Sequence, residues 1–203
     1  MVAGYVGAMR DAEERLRAAL MKVPSGLAEH VLRVVDEATR LAVIHGIDVE
    51  GARIAALGHD LLRAHSGARL LGIAEEQGRV LDVSERLEPV LMHGPLAVPI
   101  LREQYGLADA DMLGAVATHT TAAPGMSRLQ KLLFVADKIE PHKLERREPM
   151  RRVYELAEED LDAAMAAYLD HHIVVALERR WPLHPHTVAA RNELLADERS
   201  AST

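Results

Sequence analysis

His59 and Asp60 stand side by side at the end of the apolar run Ala55-Ala56-Leu57-Gly58. In a helix, Ala52, Ala55 and Ala56 lie seven, four and three residues before His59, so both polar side chains project from or beside a buried stripe. A carboxylate in an apolar interior is costly unless it is paired or binds a metal. An imidazole beside a carboxylate is also half of a divalent-ion site. A helix end closed by a His–Asp hydrogen bond would use the same two residues, so the pair gains meaning only from its company. His30 falls three after Leu27 and four before Val34, on the buried side of its segment. His93 closes an apolar segment, and His119 follows Met112, Ala115 and Val116 by seven, four and three residues. Asp137 lies four after Leu133 and eight after Leu129. Protein partners alone would struggle to satisfy these six side chains on apolar faces of five helices. Imidazole with carboxylate suits iron, manganese, cobalt or zinc, and six ligands exceed what one tetrahedral ion needs. The set favours one octahedral ion or two bridged ones.

The elements that must carry these residues read as helices. The pattern predicts helices over 6–22, 26–45 (capped by Ser25, ended by Gly46), 49–62 (capped by Asp48 and carrying His59 and Asp60) and 67–77. Ser84 opens another, with Leu87, Val90 and Leu91 inward and His93 at its end. Pro95 suits the first turn of a helix to Tyr105, and Asp109 caps 110–119. A polar loop from Thr120 to Met126 precedes a helix capped by Ser127 and ended at Glu140-Pro141. Residues 142–152 read as a charged, exposed loop, followed by helices over 150–158, 160–180 and 186–197. The organisation is a helix at 1–23, a core at 24–145, and C-terminal helices at 146–203 that complete the same domain.

Composition narrows the function classes. The 203 residues are 49% hydrophobic but only 3% aromatic, so the core is aliphatic and suits packed helices. A formal charge of −7 argues against a nucleic-acid binder. Without cysteine, disulfides, thiolate metal sites and cysteine nucleophiles are excluded. No apolar run approaches the roughly 18 residues of a membrane span, and residues 1–20 lack a signal-peptide core, so a cytoplasmic protein is expected.

The order His30…His59-Asp60…Asp137 resembles the HD-domain metal phosphohydrolases. More specific strings are Leu57-Gly58-His59-Asp60-Leu61-Leu62-Arg63, His93-Gly94-Pro95, His119-Thr120-Thr121…Gly125-Met126-Ser127 and Ala136-Asp137-Lys138-Ile139-Glu140-Pro141. They resemble the YqeK group over roughly 24–145, and more weakly to about 180. The resemblance implies an iron-containing, all-α HD-domain bundle that cleaves diadenosine tetraphosphate symmetrically into two ADP. It implies His30, His59, Asp60 and Asp137 as primary metal ligands, and His93 and His119 as second-metal ligands or phosphate contacts. Arg63, the Gly125-Met126 turn and Lys143 correspond to phosphate-binding positions. The sequence departs from the group at Leu27 and Lys143, where arginine is usual, and at Gly58, where a larger apolar residue is usual. The first two bear on how the nucleotide is gripped, because lysine is a point donor and arginine a bidentate fork.

The chemistry is self-consistent. A bound ion would supply a water acidic enough to attack phosphorus near neutral pH, and Arg63 or Lys143 would help to hold the developing charge. Asp60 and Arg63 are thus the expected catalytic residues, with Leu27, His93 and His119 against the substrate. Manganese or cobalt could replace iron. Guanosine tetraphosphate or a nucleoside triphosphate as substrate, and a nucleotide sensor with little turnover, remain alternatives, as does homodimerisation. Outside the site, Lys131 reads as solvated, His171-His172 and His184-Pro185-His186 as surface or interface residues, and Trp181 as packing the last helix down.

Overall fold

The computed structural model describes residues 2–144 and 148–201, with side chains over 7–142 and 149–200. Every regular element among them is helical, as the aliphatic composition predicts. α1 (Val2–Leu20), α2 (Ser25–His45), α3 (Val49–Gly58), α4 (Gly67–Glu76) and α5 (Val83–Leu87) lead to a 3-10 turn, Pro89–Met92. α6 (His93–Tyr105), α7 (Ala110–Thr118), α8 (Arg128–Ile139) and the single turn α9 (Pro141–Leu144) follow. α10 (Glu148–Glu159), α11 (Leu161–Arg179) and α12 (Pro185–Ala201) complete the chain.

α8 is the axis of the fold. Leu132 through Asp137 are all buried, so this helix has no wet stripe there and must be enclosed on every side. α2, α7, α10 and α11 enclose it. α3 and α6 form the next layer, and α1 closes over both. Phe134, the one phenylalanine, is fully buried with Leu132 and Leu133, and each such side chain contributes about 1.5–3 kcal/mol by burial. Whatever polar groups α8 carries are therefore held in the interior.

Several ends follow the expected chemistry. Gly46 takes φ 61°, and Ile47 N–H reaches back to Ala42 O at 2.9 Å, a Schellman closure of α2. Asp48, Asp109 and Ser127 cap α3, α7 and α8. Gly58 differs from its expected relatives for a packing reason. A Cβ there would lie 3.2 Å from Leu101 Cδ2, because Leu101 of α6 fills the space a larger residue would use.

Other boundaries differ from expectation. Ser25 lies inside α2 and Pro24 takes the cap position without a side-chain hydrogen bond, its fixed φ starting the helix instead. α3 stops at Gly58, and His59 and Asp60 follow it in successive turns with Leu61 N–H on Gly58 O and Arg63 N–H on Asp60 O. Asp82, not Ser84, caps α5, and Leu87 is 66% exposed. His93 opens α6 rather than closing the helix before it. Much of the expected 142–152 loop is helical, in α9 and α10; residues 145–147 lie outside the described residues. Trp181 is 47% exposed beneath the Arg179 guanidinium, so it does not anchor α12. His184 is buried, with its Nε2 3.8 Å from Glu85 Oε1. Lys131 pairs with Asp162 at 2.6 Å. No helix among the described residues is long and apolar enough to cross a membrane.

Candidate metal centre

His30, His59, Asp60, His93, His119 and Asp137 meet at one end of α8. Three belong to helices: His30 to α2, His93 to the first turn of α6 and Asp137 to α8. The other three are delivered just past helix ends, His59 and Asp60 after α3 and His119 after α7. Asp60 is the hub. Its Oδ2 lies 3.5 Å from His59 Nε2 and 3.7 Å from His30 Nε2. Its Oδ1 lies 2.8 Å from His93 Nε2 and 3.6 Å from His119 Nε2. Asp137 Oδ1 is 3.1 Å from His30 Nε2. Two donor triads, His30-His59-Asp60 and Asp60-His93-His119, therefore share one carboxylate.

Three of the imidazoles are aimed by backbone. His59 Nδ1 bonds Ala56 O at 2.6 Å, His93 Nδ1 bonds Val90 O at 2.5 Å, and His119 Nδ1 bonds Val116 O at 2.7 Å. A carbonyl can only accept, so each Nδ1 carries the proton and donates. Each Nε2 then presents its lone pair to the cluster while the ring is neutral. Gly94 makes this possible for His119. A Cβ at 94 would strike Val116 O, the carbonyl that pins that ring, and would lie 3.0 Å from His119 Cε1.

His30 is held differently. Its Nδ1 faces Glu140 Oε1 at 3.5 Å, and Glu140 Oε2 accepts from Arg33 Nε at 2.6 Å. Glu140 is buried, which would raise its pKa, but the Arg33 hydrogen bond prevails and lowers it.

The electrostatics of His59, His119 and Asp60 are coupled. Burial pushes the His59 imidazole down, and pushes His119 down to about 4. Burial also works to raise Asp60, but the imidazoles, His59 foremost, outweigh it and hold the carboxyl well below the usual carboxylate range. Lys138, given no role in the sequence analysis, is half-buried with Nζ 2.6 Å from Asp137 Oδ2 and donates to His119 O at 3.1 Å. Burial would lower its pKa, yet the Asp137 charge keeps it above the ordinary lysine value.

This arrangement fits a divalent cation. His59 Nε2 is buried and lacks a hydrogen-bond partner among the described residues, a costly state for a lone pair with nothing to meet. His93 Nε2 and His119 Nε2 lie 2.9 Å apart with both protons tied up on Nδ1, so a proton or a cation has to sit by them. Metal bonds of about 2.0–2.2 Å at right angles put ligand atoms about 3 Å apart, in the range of the spacings here.

The cluster forms the floor of an open cavity of about 520 Å³. Leu27, Arg63, Thr120 and Lys138 line it, and Arg63 is exposed at its rim. Thr120 Oγ1 lies 3.0 Å from His119 Nε2. Gly125 and Met126 are not among the described residues lining it. Gly125 N–H donates to Glu193 Oε1 at 2.8 Å, and the Met126 side chain is buried, its sulfur accepting from Ala123 N–H. Lys143 sits on α9, and its side chain lies outside the described residues. Lys138 and Glu140 both lie in the Ala136–Pro141 string, where charged residues beside an expected ligand were the available signal.

A match to the HD domain family covers residues 27–142, which span both triads. The chain belongs to the HD-domain family. The symmetrical bis(5'-nucleosyl)-tetraphosphatase of Halalkalibacterium halodurans is 32% identical over 172 residues, 84% of this chain and 90% of that protein. The protein of the same name from Bacillus subtilis is 30% identical over 168 residues, 82% and 88% of the two chains. A crystal structure from Clostridium acetobutylicum, described as a predicted HD superfamily hydrolase involved in NAD metabolism, superimposes with a TM-score of 0.86. It is 32% identical, covering 91% of this chain and 97% of that one. The His/Asp cluster thus offers a donor set of the kind that holds a divalent metal in HD domains.

Proposed function

We propose that the protein hydrolyses dinucleoside tetraphosphates, cleaving diadenosine tetraphosphate symmetrically into two ADP. The observation that carries this reading is the pair of donor triads sharing Asp60 on the floor of a cavity with Arg63 at its rim. The relatives named for this activity, aligned over most of their length, support the substrate.

Iron, or another divalent ion such as manganese or cobalt, would be held by His30, His59, Asp60 and Asp137, with His93 and His119 at a second ion or at phosphate. When bound, such an ion supplies Lewis acidity and a water acidic enough to be a nucleophile near neutral pH. The chain's own residues do the rest. Asp60 spans both triads and fixes their separation. Lys138 balances Asp137 and keeps positive charge beside the reacting phosphate. Arg63 offers a bidentate fork to the polyphosphate from the solvent side. Thr120 places a hydroxyl on the His93–His119 pair. Leu27, in the cavity lining, gives the nucleoside an apolar surface.

With one nucleoside diphosphate unit gripped, the attacked phosphorus is the second from that adenosine. Water adds its oxygen there, the bridging P–O bond breaks toward the distal half, and both products are ADP. The test is a nucleotide panel on metal-reconstituted protein, with products separated by chromatography. ADP alone from diadenosine tetraphosphate is expected, with loss of rate under a chelator and recovery with Fe²⁺, Mn²⁺ or Co²⁺. AMP with ATP at early times would rule out the symmetrical reading and leave the HD-type site standing.

A further inference from the structure

The loop between α7 and α8 carries Thr120 to the cluster, and its backbone is not relaxed. Ala122, fully buried, has φ 58°, a left-handed conformation that a residue with a Cβ adopts only when its surroundings dictate it. Ala122 N–H bonds Thr118 O, at the end of α7, at 2.8 Å. A further constraint comes from α12, beyond the residues 27–142 matched to the HD domain family. Thr187 Oγ1 donates to Thr121 O at 2.8 Å in a buried bond. Gly125 N–H, in a residue with φ 68°, donates to both Glu193 oxygens, at 2.8 and 3.0 Å. α12 is itself anchored. Ala190 and Leu194 are buried in the core, and Arg191 Nε bonds Asp170 of α11 at 2.7 Å. α11 in turn packs on α8.

We propose that α12 is a positioning element of the site: Thr187 and Glu193 clamp the two sides of this loop so that the Thr120 hydroxyl stays on the His93–His119 pair. The inference rests on reading that pair as part of the phosphohydrolase centre. Thr187 and Glu193 are not among the described residues lining the cavity, so they act through Thr120 and touch no substrate. Thr120 is adjacent in sequence to Thr121, whose carbonyl Thr187 holds, so release of that carbonyl lets the hydroxyl drift. Displacements of about 1 Å at a reacting centre can cost up to about a hundredfold in rate.

The test uses Thr187→Val, Glu193→Ala and Glu193→Gln in the full chain. The readouts are amide hydrogen exchange over residues 119–126, metal bound per chain, and kcat and KM on the nucleotide the wild type cleaves fastest. Thr187→Val and Glu193→Ala are expected to speed exchange at Ala122 and Gly125. Both should lower kcat about tenfold with KM and metal content held. Glu193→Gln keeps an oxygen for Gly125 N–H and should return kcat toward wild type. Unchanged loop exchange, or faster exchange with unchanged kcat, would overturn the proposal. Should Thr187→Val fail to fold, the Glu193 pair at a half-exposed position decides alone. A wild type inert on every nucleotide would refute the proposed function, whereas a working enzyme with an indifferent loop would refute only the clamp.

Discussion

His30 and the other three imidazoles of the centre all face Asp60 but are held by different means. His59, His93 and His119 are buried, and each gives its Nδ1 proton to a carbonyl three residues earlier in its own chain. His30 is half-exposed at the cavity wall and depends on Glu140, which Arg33 holds from a separation of 107 residues. The closed side is therefore fixed by local backbone geometry, with no supporting side chain to delete. The open side is fixed by a chain of side chains, each of which can be deleted. The closed side suits permanent ligands. The open side is where outer-shell changes should tune affinity.

Asp60→Ala should have the largest effect, because it removes the carboxylate common to both sides. We expect turnover to fall about a thousandfold or more, since even one preorganised electrostatic contact is worth about 10²–10³, together with loss of metal. Metal analysis and an activity assay on the same preparation check this, and a normal rate with normal metal would refute it. Gly94→Ala probes the closed side alone. The new methyl collides with Val116 O, so a destabilisation of about 1–3 kcal/mol is expected, with turnover reduced further through the displaced His119 ring. Urea unfolding and kcat are the measurements, and a silent substitution would mean that the carbonyl does not need to stay where it is.

Glu140→Ala probes the open side. Metal affinity should drop about 10–100-fold in chelator competition, while His59, His93 and His119 keep their geometry. Equal losses from Gly94→Ala and Glu140→Ala in metal affinity would erase the distinction between the two sides. Arg63→Lys should be mildest. Arg63 is exposed, so folding and metal content should hold while KM rises about 3–10-fold as a bidentate contact becomes a single one.

The sequence was most informative where the argument is local. An apolar face of period 3.6 places His30 and Asp137 on inner surfaces without knowing what lies opposite; α8 buries Asp137, while α2 presents His30, partly exposed, to the cavity. It was less informative over single turns. His59 and Asp60 fit a helical phase equally well whether α3 continues or gives way to i+3 bonds, because three and four residues differ little over one turn. The same ambiguity put His93 at the end of a helix that it in fact begins. Contacts between distant segments left no periodic trace. Arg33 with Glu140, Thr187 with Thr121 and His184 beside Glu85 are pairings of residues that look solvent-facing in their own segments. Trp181 misled in the opposite direction, since a large aromatic beside two prolines suggests an anchor and here lies partly in water.

Rings aimed by backbone carbonyls are aimed before any ion arrives. The pocket then imposes its shape on its occupant rather than taking shape around it, and selection among ions of similar radius is left to supply. Nitrogen-rich sites prefer copper to iron and manganese, so the ion recovered with the protein should follow the growth medium more than the reaction. An ion that fills a ready cradle also adds its binding energy to the folded state, about 4 kcal/mol at a thousandfold excess over Kd. Melting curves recorded across a series of ions would therefore rank occupancy, and turnover recorded across the same series would rank chemistry. The two orders need not agree.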